Sequence, residues 1–148
     1  MPEEIAFLIS NILSDNAARA NAFGAGSLLN IAGKNVAVKT GTTDDKRDNW
    51  TIGYTSSKNN DNPRVVGVWV GNNDNSPMNP SLTSGVTGAA PIWNRVMRFA
   101  LADVKNVPFE VPKTIVQKEV DALDGGLPCG DHPKRSEYFV KGAEPTKS

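Results

Sequence analysis

Three β-branched and aromatic runs, joined by connections too short to carry a crossover helix, constrain this chain most. They cover about 35–41, 49–55 and 64–71. Ser56-Ser57-Lys58-Asn59-Asn60-Asp61-Asn62-Pro63, turn chemistry throughout, joins the second run to the third. Such connections favour antiparallel pairing, so the expected unit is a three-stranded meander. The third run, Val65 to Val70, is nearly all apolar, which predicts burial on both faces. Trp50, Trp69 and Trp93 fall on apolar faces and read as core.

Helices are expected on either side in sequence. Ile5, Leu8, Ile9, Ile12 and Leu13 recur at helical spacing, predicting an amphipathic helix over about 3–14 with that stripe buried. A second helix is predicted over about 88–103, with Pro91 near its start. There Ile92, Val96 and Phe99 form a stripe beside Trp93, Met97, Ala100 and Leu101. Ser14-Asp15-Asn16 reads as the end of one helix and the cap of the next. From Pro108 the texture changes to Pro, Gly and charge without periodicity. The expectation is α+β, with residues 1–107 forming the folded portion. Residues 108–148 form a loosely structured tail, with one short strand at Thr114 to Val116.

Composition excludes some partners. Sixteen basic and sixteen acidic residues cancel, leaving no footprint for nucleic acid or an anionic membrane. No apolar run approaches the roughly 18 residues of a spanning helix. A single Cys129 cannot form an internal disulfide.

Lys39-Thr40-Gly41-Thr42 closes the first run and carries the clearest chemistry. Lysine supplies a cation for a carboxylate, the threonines supply directional hydrogen bonds, and glycine lets another backbone lie close. The same tetrapeptide also suits a plain strand entering a turn. Strand alternation puts Lys39 and Gly41 on one face and Thr40 and Thr42 on the other. All four serve one ligand only if the strand is a sheet edge and the ligand lies along it.

Other segments read more simply. Asp44, Asp45, Lys46, Arg47 and Asp48 fit a solvated turn better than a cleft rim. Asn72-Asn73-Asp74-Asn75 lacks the glycine and closing glutamate of a calcium loop. Cys129 and His132 are spaced to share a metal, but without a second pair no metal site or cofactor is expected. No Gly-x-Ser-x-Gly occurs.

Together with Lys39-Thr40-Gly41-Thr42, further segments stand in a specific order. They are Asp48-Asn49-Trp50-Thr51-Ile52-Gly53-Tyr54-Thr55, Val65 to Asp74, Ser84-Gly85, Ala89-Ala90-Pro91-Ile92-Trp93 and Glu137 to Pro145. The set resembles the C-terminal part of the transpeptidase domain of class A, bifunctional penicillin-binding proteins, from about Glu3 to Thr146. The resemblance implies a partial β-lactamase/transpeptidase-like fold. It implies a serine D,D-transpeptidase cross-linking peptidoglycan stem peptides and binding β-lactams, in a parent that is also a glycosyltransferase. Lys39 and Thr42 match catalytic positions. Lys39, Thr40, Gly41 and Thr42 match substrate-binding ones, and the Thr42 N–H matches one oxyanion donor. The resemblance further implies an extracytoplasmic location, with an N-terminal anchor outside this chain.

No lysine of the chain has a serine three residues before it, so the Ser-x-x-Lys nucleophile is absent. Ser14-Asp15-Asn16 stands too close to Lys39 for the family's Ser-x-Asn. The expectation is a segment inactive by itself, lacking the N-terminal half of its domain and prone to self-association. The alternative is a stand-alone, non-catalytic module that binds an extended peptide along its sheet edge.

Overall fold

The computed structural model describes residues 1–80, 84 and 86–147; Gly85 of the Ser84-Gly85 pair and the last tail residue, Ser148, lie outside them. The elements are α1 (Glu3–Ser14), α2 (Asn16–Phe23), β1 (Ala37–Thr42), β2 (Asp48–Tyr54), β3 (Val65–Gly71), α3 (Ala89–Ala100), β4 (Ile115–Asp121) and β5 (Lys134–Val140). The chain divides into two compact units. One comprises residues 10–109; the other comprises residues 1–9 together with the chain from residue 110 onward.

In the larger unit, β1, β2 and β3 form the antiparallel meander in that order. Register aligns Lys39 with Ile52 and Gly67, and Gly41 with Trp50 and Trp69. α3 lies on the opposite face. There Trp93 and Met97, both fully buried, pack with Val36, Val38, Leu29, Ile31, Ala90 and Leu101. Gly53 is required beneath Trp93, because an added Cβ would stand 2.4 Å from the indole. The Trp93 Nε1–H donates to the Val66 carbonyl at 3.2 Å. Ser14-Asp15-Asn16 caps as expected: Asp15 Oδ1 accepts the Ala18 N–H at 2.9 Å at the start of α2.

Several burial expectations are corrected. β3 is an edge strand among the described residues, and Val65 and Trp69 are exposed on the face away from α3. Of the three tryptophans only Trp93 is core; Trp50 is 45% exposed and Trp69 41%. β2 is inverted, with polar Asn49 and Thr51 buried under α3 and Ile52 outward. On α3 the buried face runs through Ala90, Trp93, Asn94 and Met97 to Leu101 just past its end, while Ile92, Val96 and Phe99 are exposed. On α1, Ile5, Ile9 and Ile12 are exposed and Phe7 and Ser10 buried. Apolar periodicity identified α1 and α3 but not α2, which buries no residue. It could not say which of two adjacent apolar stripes the described residues cover.

The expectation of a loosely structured tail is also corrected. In the smaller unit β4 and β5 pair antiparallel over seven residues each, from Ile115↔Val140 to Asp121↔Lys134. Phe7 stacks edge-on against Tyr138 at 5.2 Å between centroids. The two strands are rich in charge and lack apolar alternation, so their pairing rests on the backbone ladder. Opposite charges such as Lys118 and Glu137 face one another across it.

Candidate functional site

Lys39, Thr40, Gly41 and Thr42 are the last four residues of β1, and among the described residues β1 pairs with β2 alone. The Thr43 N–H donates to the Asp48 carbonyl at 3.0 Å. Hydrogen-bonded pairs alternate along an antiparallel ladder, so the N–H and C=O of Thr40 and Thr42 point to the free edge. Lys39 agrees with this: its ammonium donates to the Thr40 carbonyl at 2.7 Å, an acceptor that β2 leaves open. Lys39, Gly41 and Thr42 are exposed and Thr40 is half-buried.

Gly41 has no internal reason to be glycine. Its φ is not positive, and a Cβ there would meet nothing within 4 Å.

Asn49 is the site residue that motif reading missed. Its side chain is fully buried. The Nδ2 group donates to Thr42 Oγ1 at 2.8 Å and to the Ser84 carbonyl at 3.1 Å. Oδ1 accepts the Ala89 N–H at 2.6 Å, satisfying one of the donors left open at the start of α3. All its hydrogen-bonding groups are therefore used, and the end of β1 is tied to the start of α3. Gly88 must be glycine for this, since a Cβ would stand 2.3 Å from Asn49 Oδ1. Sequence offered no signal for it: with Trp50 read as core, strand alternation put Asn49 on the outward face.

The charge run is a turn. Thr43 Oγ1 accepts the N–H groups of Arg47 and Asp48, at 3.0 and 2.9 Å. Lys46 adopts φ 54°, and Asp45 pairs with Arg47 at 3.3 Å. In the loop beyond β3, Asn72 donates to Ser76 and Pro77, and Asp74 accepts the Ser76 hydroxyl and N–H. The Ser76 hydroxyl holds the Asp74 carboxyl below its ordinary pKa. These groups are spent within the loop. Cys129 Sγ lies 3.8 Å from His132 Nδ1, beside a residue that spacing did not suggest, Asp121.

No family model matches the chain. Among known proteins, it is 33% identical over 119 residues to penicillin-binding protein 1A of Haemophilus influenzae, spanning 80% of this chain and 13% of that protein. It is 30% identical over 167 residues to penicillin-binding protein 1A/1B of Bacillus subtilis, spanning 99% and 17%. The crystal structure of penicillin-binding protein 1A from Haemophilus influenzae superposes with a TM-score of 0.76 at 30% identity, covering 98% of this chain and 21% of that one. The chain thus spans less than a fifth of the length of the relatives aligned by sequence.

Proposed function

The chain belongs with penicillin-binding protein 1A as a segment of its transpeptidase domain, and from that premise we propose that Lys39-Thr40-Gly41-Thr42 is the substrate-binding edge of a serine D,D-transpeptidase. The observation that carries this reading is the free edge of β1, with the Thr42 N–H directed outward. An extended stem peptide, or the acyl chain of a β-lactam, docks along that edge.

The parts divide the work. Lys39 presents a cation toward the terminal carboxylate of D-Ala-D-Ala. Thr42 Oγ1 already accepts from Asn49, so its own O–H is free to donate to that carboxylate, alongside Thr40. Gly41 leaves room for the substrate backbone. A serine from outside this chain bonds to the penultimate carbonyl carbon, and the C–N bond to the terminal D-alanine breaks. An amine of a second stem peptide then displaces the serine. The Thr42 N–H stabilises the oxyanion in both steps, a contribution of about 3 kcal/mol.

The rest of the domain packs on the apolar face of the sheet, where Trp50, Ile52, Val65 and Trp69 are exposed. The parent works on the extracytoplasmic face of the membrane, held by a segment outside this chain, and also carries glycosyltransferase activity. The chain by itself is inactive. Labelled penicillin added to the full-length parent tests the reading: a covalent adduct that D-Ala-D-Ala peptide competes away is expected, and no adduct would overturn it.

A further inference from the structure

Where the loop between β4 and β5 meets the end of β4, three donor atoms converge. Cys129 Sγ and His132 Nδ1 lie 3.8 Å apart, Sγ lies 3.8 Å from Asp121 Oδ2, and Nδ1 lies 2.6 Å from that same oxygen. Asp121 is fully buried, while Cys129 and His132 are exposed, so the cluster opens to solvent on one side. Among the described residues it is the group of three such side chains close enough to share an ion.

The arrangement is not that of an activated thiol. In a Cys-His-Asp relay the carboxylate and the nucleophile use opposite ring nitrogens. In this loop both sit at Nδ1, which is the arrangement of ligands around a common point. We propose that Asp121, Cys129 and His132 bind one zinc ion, with the fourth position open to water.

Zinc bonds of about 2.3 Å to sulfur and 2.0–2.1 Å to nitrogen imply tetrahedral edges of about 3.6 Å from sulfur to nitrogen and about 3.3 Å from nitrogen to oxygen. The sulfur edges are nearly there. The histidine–aspartate edge opens by about 0.7 Å as the ion replaces their hydrogen bond. The ligand shell is braced: the Leu123 N–H donates to Asp121 Oδ1 at 2.8 Å, leaving Oδ2 toward the sulfur and imidazole. Asp121 ends β4, and Cys129 and His132 lie just before β5, so the ion would clip the mouth of the loop. The Ala122 N–H already bonds the Pro133 carbonyl there at 2.8 Å.

Cobalt(II) titration of the full chain tests this. One equivalent should give a thiolate-to-cobalt charge-transfer band and tetrahedral visible bands, both abolished by added zinc. Cys129→Ser should lose the charge-transfer band, and His132→Ala should weaken binding by about tenfold or more. Cys129→Asp, which keeps a ligand of another class, should bind without that band. Both side chains are exposed, so the metal-free circular dichroism of every variant should match wild type. A wild-type chain without the charge-transfer band, or Cys129→Ser with an unchanged one, overturns the site.

Discussion

Asn49 donates its side-chain amide to the Thr42 hydroxyl at 2.8 Å, and its own carbonyl accepts the Ala89 N–H at 2.6 Å. A fully buried residue on β2 thus sets both the last residue of β1 and the first turn of α3. Asn49→Ala should cost about 1–3 kcal/mol, because it strands a buried N–H and removes two donors. Asn49→Asp keeps the acceptor at the helix N-terminus and should fall in between. Urea unfolding of the three proteins measures it, and an alanine variant with an unchanged midpoint would show that the clamp does not stabilise the fold.

Two glycines should separate packing from recognition. Gly53→Ala forces a Cβ to within 2.4 Å of Trp93 and 3.0 Å of the Ala37 carbonyl, and should destabilise by about 1–3 kcal/mol. Gly41→Ala meets open space and should be neutral or stabilising by about 0.5 kcal/mol. In the full-length parent, however, Gly41→Ala should slow acylation by β-lactam. Paired melts and acylation rates decide it; a Gly41→Ala parent that acylates at the normal rate removes the role assigned to that glycine.

The strands were legible because turn chemistry and β-branched runs report directly on local geometry. Expected limits of 35–41, 49–55 and 64–71 became 37–42, 48–54 and 65–71. Which faces are covered was not legible. Periodicity marks Ile92-Val96-Phe99 and Trp93-Met97 equally well as apolar stripes, and only the position of the sheet selects Trp93. Of the β4–β5 hairpin only the start of β4 was expected, as a short strand at Thr114 to Val116, because backbone ladder bonds are blind to side chain. Lys39 to Thr42 were proposed from motif. Asn49 and Asp121 were not, since each acts through contacts distant in sequence.

Lys39→Ala in the full-length parent should remove most acylation while leaving stability within about 0.5 kcal/mol. The side chain is exposed and bonds the carbonyl of its neighbour Thr40, so little packing is lost. Losing the charge-assisted contact to the substrate carboxylate should raise the acylation barrier by about 2–3 kcal/mol. Stopped-flow acylation with a reporter β-lactam reads this, and an unchanged rate would show that β1 does not end at the substrate.

The chain alone should form no covalent adduct with a penicillin, since none of its lysines follows a serine at the spacing that activates one. Mass spectrometry after prolonged incubation should return the unmodified mass. A stoichiometric adduct on serine would show that a nucleophile lies within these residues.

The last expectation concerns β3. Its ladder with β2 follows the alternation set by the Thr55 N–H, which bonds the Arg64 carbonyl at 3.0 Å. The amides of Val66, Val68 and Val70 therefore face β2, and those of Val65, Gly67 and Trp69 face the free edge. A β-branched edge beside exposed Trp50, Ile52 and Trp69 is a template for association. At low concentration Gly67 and Trp69 should exchange their amide hydrogens quickly while Val66 and Val68 are protected. As concentration rises, the chain should sediment as larger species and the first pair should slow. Arg or Lys in place of Val65 and Trp69 should reverse both effects. A monomer at all concentrations, with Gly67 and Trp69 as protected as Val68, would mean that β3 already has a second neighbour, and the three-strand order would be wrong.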